Sequence, residues 1–221
     1  MKRVMIPELL DTDSGSPAEI AGSLADLRWF NRWFGGVSTT QAMVQEVAGK
    51  LSATSLSWLE VATGSGDVPA AVRQRMEDTG VRLEVTTLDR NRSHLGNNHS
   101  AVVGDALALP FAEESFDIVG CGLFAHHLTP QQLVQFVNEG LRVCRVAVLI
   151  NDLERHALHL ALVYAGLPLY RSRLTRHDAP ASVRQAYTPE EIRGLLQQTP
   201  AARVEIHPHY LFRMGVIVWK K

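Results

Sequence analysis

The stretch Trp58-Leu59-Glu60-Val61-Ala62-Thr63-Gly64-Ser65-Gly66-Asp67 constrains this chain more than any other. It reads as an apolar strand that ends near an acid, then a tight turn with two glycines, then the first residues of a helix. Two further acids, Asp89 and Asp105, each follow a short apolar strand of their own. A nucleotide-like ligand lying across the C-terminal edge of a parallel sheet needs that arrangement. Glycines at 64 and 66 let the turn take positive φ and let a ligand come close to the backbone.

The rest of the chain supplies the sheet. Residues 1–16 read as irregular. A helix is expected over 18–34, with Ile20, Leu24, Leu27 and Phe30 at helical spacing, ended by Gly35-Gly36. A second helix is expected over 39–51. Strands then alternate with helices: strand 57–62, helix 67–78, strand 81–88, a polar connection or short helix over 91–98, and strands at 101–103 and 116–121. Thr129-Pro130-Gln131-Gln132 carries the chemistry of a helix start, and that helix runs to 142. A strand over 143–151 and an apolar helix over 153–165, broken by Gly166 and Pro168, come next. Residues 171–181 read as a basic, irregular segment. Thr188-Pro189-Glu190-Glu191 starts another helix. Strands at 203–207 and 210–219, linked by Pro208-His209, close the chain as an antiparallel pair.

Alternation of this kind predicts a single α/β domain of three layers, with a seven-stranded, mostly parallel sheet, a C-terminal antiparallel hairpin and an N-terminal helical cap. The expected parts are a cap over 1–52, a ligand-binding half over 53–151, and a substrate-side insertion with the closing hairpin over 152–221. The net charge of −1 over 221 residues speaks against a general nucleic-acid binder. No apolar run approaches the ~20 residues of a membrane helix. Cys121 and Cys144 sit in apolar segments and read as buried thiols of a reducing cytoplasm, not as a disulfide. No Cys/His set has zinc spacing, and no metal is expected.

Four segments in this order resemble the shared core of the class I S-adenosylmethionine-dependent methyltransferases, over about 57–151. Within that class the sequence is similar to small-molecule enzymes of the ubiquinone/menaquinone type and to relatives in bacterial polyketide and quinone pathways. The resemblance implies a Rossmann-like fold and S-adenosylmethionine as cofactor, with S-adenosylhomocysteine as product. It maps the acidic, glycine-rich pattern onto Glu60, Gly64 and Gly66, with Ala62 where the family has its first glycine. Asp89 becomes the ribose-binding acid and Asp105 the adenine-side acid, with Thr63, Arg90 and Ala106 beside them. The carbonyls of Ala62 and Cys121 are expected partners for the methionyl amine. Arg32, in the N-terminal cap, could pair with the methionyl carboxylate or simply belong to a packed helix.

The acceptor is expected to be a small, apolar, aromatic or quinone-like molecule methylated on a hydroxyl or an activated carbon. An Asn-Pro-Pro-Tyr-like segment, common in enzymes acting on base or protein nitrogens, is absent after the fourth strand. Cys121-Gly122-Leu123-Phe124-Ala125-His126-His127 stands there instead. An imidazole, ordinarily titrating near ~6.5, can take a proton from a phenol of pKa ~10. His126 and His127 are therefore base candidates, unless they only cap or pack the next helix. His177, beside Asp178, is a third. Arg176, His177, Asp178 and Arg184 could grip an acidic or phenolic substrate, or form a solvated basic loop. The aromatic run from Trp29 to Phe34 could be a lid or simple helix packing. The alternatives are a nucleic-acid or protein methyltransferase and a non-catalytic S-adenosylmethionine-binding protein. A monomer or homodimer is expected, with no nucleic-acid partner.

Overall fold

The computed structural model describes residues 1–12, 14–90 and 100–221. Among them seven strands form one sheet: β1 (Ser55–Val61), β2 (Arg82–Asp89), β3 (Ala101–Val103), β4 (Phe116–Gly122), β5 (Cys144–Leu153), β6 (Arg203–His209) and β7 (Arg213–Trp219). Their order is β3-β2-β1-β4-β5-β7-β6. The first five pair in parallel, and β7 joins β5 and β6 antiparallel. The chain steps outward from β1 to β3 and then returns to β4 on the other side of β1. That reversal opens a crevice at the C-terminal ends of β1 and β4.

Both faces of the central strands are buried, as a parallel sheet requires. Leu59 and Val61 of β1 face one core, with Val119, Phe136 and Val148. Trp58 faces the other, with Met43, Val47, Val72, Met76 and Leu149. The second core is covered by α2 (Gly36–Leu51) and α3 (Asp67–Glu77), and the first by α4 (Pro130–Val143) and α7 (Pro189–Leu196). Helix starts follow local chemistry. Ser16 with Glu19, Thr129 with Gln132 and Thr188 with Glu191 form reciprocal capping boxes, each followed by proline. The first of these opens α1 (Pro17–Trp33).

The structure departs from the sequence expectation in four places. Residues 171–181, read as irregular, lie mostly in α6 (Arg173–Gln185). Pro180 removes one amide donor from that helix, but Leu174, Ala181 and Val183 are buried, and their packing outweighs the lost bond. β5 runs on to Leu153 because Asn151–Leu153 pair with Arg213–Gly215, so α5 (Ala157–Gly166) starts later than expected. The closing hairpin turns at 210–212. Pro208 lies within β6, where an edge strand tolerates its missing N–H. Gly36 begins α2 instead of ending the helix before it. The connection expected over 91–98 lies outside the described residues.

The N-terminal strap ahead of α1 crosses α6. Leu9 and Leu10 donate backbone N–H bonds to the Asp178 carboxylate at 2.8 and 3.1 Å. Arg3 donates to the carbonyls of Gln185, His126 and Leu128. These bonds place Glu8 beside the turn that follows β4.

Candidate active site

A cavity of about 790 Å³ opens at the C-terminal edge of the sheet. Its sheet side is made of the segments that follow the strands. Ala62, Thr63 and Gly64 come from β1, Asp89 and Arg90 from β2, and Asp105 and Ala106 from the loop after β3. The Gly64 N–H donates to Asp89 Oδ2 at 3.0 Å, so the turn and the acid fix one another. Gly64 has φ +53, and a Cβ built on it meets no atom within 4 Å. Its backbone thus borders open cavity, the cradle a close-lying ligand requires. The Thr63 hydroxyl is buried there without a hydrogen-bond partner among the described residues. Ala62 itself has φ +54, a left-handed conformation that costs an L-residue roughly 1 kcal/mol. Asp105 Oδ1 accepts from the Leu107 N–H at 2.9 Å, which shapes the loop around it.

Several expected ligand residues stand elsewhere. Gly66 does not line the cavity; at φ +73 it caps α3. Glu60 and Cys121 are buried in the sheet beneath the edge, and neither lines the cavity. Burial pushes the Glu60 carboxyl up to about 8, and the Trp58 indole beside it offsets only part of that. A Cβ on Gly120 would stand 2.6 Å from both Glu60 Oε2 and Trp58 Nε1, so the glycine makes room for the pair. Arg32 is exposed, with its guanidinium over the Trp33 ring, and does not reach the cavity. Arg28, one helical turn earlier, does, and lies 3.8 Å from Asp67.

The opposite wall is apolar. Leu24, Leu27 and Phe30 of α1 face Leu162 and Val163 of α5 and the ring of Tyr170. The Phe30 and Tyr170 rings meet edge to face, 5.3 Å apart. The aromatic run thus packs a helix and walls the chamber at once. Arg213, buried, also reaches the cavity. It donates to the Phe34 carbonyl and to the side-chain oxygens of Asn31 and Asn151. Burial lowers its pKa to about 10, against a small opposing effect of Asp152.

A polar cluster closes the chamber. His126 and His127 lie in a short turn after β4 and line the cavity with Glu8. His126 is 2% exposed, and its Nδ1 lies 2.6 Å from Asp152 Oδ1. Its Nε2 is 3.5 Å from Glu8 Oε1. Burial opposes charge on this ring, but Asp152 and Glu8 outweigh it and push its pKa up to about 10. Both carboxyls are held below their usual range by the imidazolium, despite burial. A ring so placed already carries its proton at neutral pH. The base expected from the sequence was an ordinary imidazole, and here Asp152 and Glu8 favour the charged form of the ring. His127 is partly exposed, with Nδ1 3.0 Å from Asp11 Oδ2 and Nε2 4.0 Å from Glu8 Oε2.

His177 does not line the cavity. Helix α6 turns it outward, exposed, while its neighbour Asp178 faces inward. Arg176 and Arg184 are tied to the Tyr170 carbonyl and the Tyr164 hydroxyl and do not line the cavity. The arginines that do line the cavity are Arg28, Arg90 and Arg213. Sequence reasoning singled out Arg28 only as part of the aromatic cap, and did not single out Glu8, Asp152 or Arg213. Asp152 alone carried a local signal, an acid near the end of a strand, as Asp89 is.

Residues 59–149 match a family model described as "Methyltransferase domain". Two curated relatives are each named demethylmenaquinone methyltransferase. That of Roseiflexus castenholzii is 37% identical over 121 residues, and that of Roseiflexus sp. (strain RS-1) is 31% identical over 120. Each alignment covers 52% of this chain and 50% of the relative, so the chain spans about half the length of the curated relatives it matches. Among solved structures, the plantazolicin methyltransferase BpumL, in complex with a monoazolic desmethylPZN analog and SAH, superposes with a TM-score of 0.69. It is 12% identical, over 97% of this chain and 94% of that one, a likeness of fold. The Rossmann-like architecture expected from the sequence is borne out. Among the described residues no helix is long and apolar enough to cross a membrane.

Proposed function

We propose that this chain, whose fold and matched domain are those of a class I S-adenosylmethionine-dependent methyltransferase, methylates an apolar small molecule on a hydroxyl or an activated ring carbon. The observation that carries the reading is the continuity of one cavity. The Gly64–Asp89–Asp105 cradle, apolar side chains of α1 and α5, and Glu8, His126 and His127 all line it. The curated relatives' name supports a quinone-like ring as acceptor.

The residues divide the work. Asp89 stands where a carboxylate accepts from the ribose hydroxyls of an adenosyl group. Asp105 and the Ala106 amide stand beside the place for the adenine. Arg28, not Arg32, holds the methionyl carboxylate. The cofactor, S-adenosylmethionine, supplies an activated methyl group. The apolar wall of α1 and α5 aligns the acceptor and keeps bulk water out, which is most of what an in-line displacement asks of a protein. The polar cluster at the chamber's end receives the acceptor's reacting oxygen or ring edge. We further propose a cytoplasmic protein, consistent with two free, buried thiols, each pushed up by burial and so unreactive.

The test is transfer of labelled methyl from S-adenosylmethionine to a panel of phenols, catechols and quinols. Label in an apolar aromatic product is the expected result. Cofactor binding without transfer to any acceptor supports the non-catalytic alternative instead. Label in RNA or protein supports the other rival.

A further inference from the structure

We propose that Glu8, His126 and His127 bind a divalent first-row transition-metal ion, and that this ion takes the oxygen of the methyl acceptor. The acceptor role rests on the methyltransferase reading; the ion site does not. One ligand atom from each of the three residues lies within 4.8 Å of the others. His126 Nε2 stands 3.5 Å from Glu8 Oε1, and His127 Nε2 4.0 Å from Glu8 Oε2. These distances are long for hydrogen bonds. They approach the ~3.4 Å that separates two ligands of a tetrahedral ion with bonds of ~2.0–2.2 Å. His126 Nε2 is fully buried and has no hydrogen-bond partner among the described residues, yet its ring lines the cavity.

The surroundings favour an ion. The far nitrogen of each ring meets a carboxylate: His126 Nδ1 lies 2.6 Å from Asp152, and His127 Nδ1 3.0 Å from Asp11. A carboxylate behind each imidazole fixes the ring and keeps the Nδ1 proton, the usual support of a metal-bound histidine; the ion takes the place of the Nε2 proton of His126, which is released to solvent on binding. Glu8 is steadied in turn. Its Oε1 accepts from the Ser182 hydroxyl at 2.6 Å and the Gln185 amide at 2.7 Å. Oε2 is left facing His127. Two imidazoles and one carboxylate suit zinc, cobalt or manganese, and three protein ligands leave coordination positions open toward the chamber. An acceptor hydroxyl bound there releases its proton to solvent, and the ion holds the resulting oxygen anion. A second cluster, Glu46, Glu205 and His207, is of another kind. It lies near the surface, and the Lys50 ammonium bonds to both of its carboxylates.

The experiment uses untagged protein carrying His207→Ala, to remove the surface cluster, with Co²⁺ as a spectroscopic probe and Zn²⁺ in calorimetry. The expected result is one equivalent of Co²⁺ with visible bands of a histidine-bound ion. Both His127→Ala and Glu8→Gln should lose the bands and weaken Zn²⁺ binding more than about 10-fold. Circular dichroism reports whether each variant is folded, and S-adenosylhomocysteine binding reports the cofactor half separately. Absence of the bands in the parent protein, or bands unchanged in both variants, overturns the ion site. Failure to bind S-adenosylhomocysteine, with the bands present, counts against the methyltransferase reading alone.

Discussion

Glu60→Gln isolates the electrostatics of the strand that carries the ligand loop. In the folded protein the Glu60 carboxyl titrates near 8, against 4.5 for an ordinary glutamate, because burial disfavours its charge. The folded state therefore holds a proton that the unfolded chain gives up from about pH 4.5 upward. The contribution of this group to stability is fully present below that value. It falls by about 1.4 kcal/mol per pH unit and levels off above pH 8. Between pH 4.5 and pH 7 the loss amounts to about 3 kcal/mol. Glutamine keeps the shape and cannot ionise, so the variant lacks this slope. Urea unfolding of both proteins at intervals from pH 5 to pH 8 measures the difference directly. The variant should gain on the wild type by about 2–3 kcal/mol as the pH rises from 5 to 7. Parallel curves would refute the reasoning and mean that Glu60 ionises freely in the folded state.

Other perturbations separate residues that the sequence alone could not rank. Arg28→Ala should weaken S-adenosylmethionine binding by about 10-fold or more, as loss of a charge-assisted hydrogen bond does. Arg32→Ala should leave it unchanged, and the two are compared by calorimetry. His177→Ala should leave the rate of methyl transfer within about two-fold of wild type, because the ring is exposed on the outer side of α6. Gly140→Ala should destabilise the fold by about 1–3 kcal/mol in urea unfolding, since its new Cβ would stand 2.7 Å from Val148 Cγ2.

Much of the sheet was legible because its signals are local. Alternation of short apolar runs with helical periodicity gave the strands their places, and the caps at Thr129 and Thr188 gave two helix starts almost to the residue. What escaped depended on partners far along the chain. β5 outlasts its apolar run because β7 pairs with its end. α6 survives Pro180 because one face is buried and the N-terminal strap bonds to Asp178. The cofactor side of the site was read in the same local way, from acids and glycines at strand ends. Ala62, Thr63, Gly64, Asp89, Arg90, Asp105 and Ala106 do line the cavity together. Glu60 and Arg32 do not line the cavity, for reasons of periodicity. Side chains on a strand alternate between faces, and a shift of four on a helix moves a residue along the axis. The acceptor end was the least legible, because Glu8 reaches it only through contacts between the strap and α6.

The most direct test of the account is titration calorimetry with S-adenosylmethionine and S-adenosylhomocysteine on the wild type and on Asp89→Ala. The account predicts micromolar binding of both ligands by the wild type. It predicts a loss of about 10- to 100-fold in the variant, the worth of hydrogen bonds to a carboxylate. A folded wild-type protein that binds neither ligand, or an Asp89→Ala protein that binds both as tightly as the wild type, would contradict it.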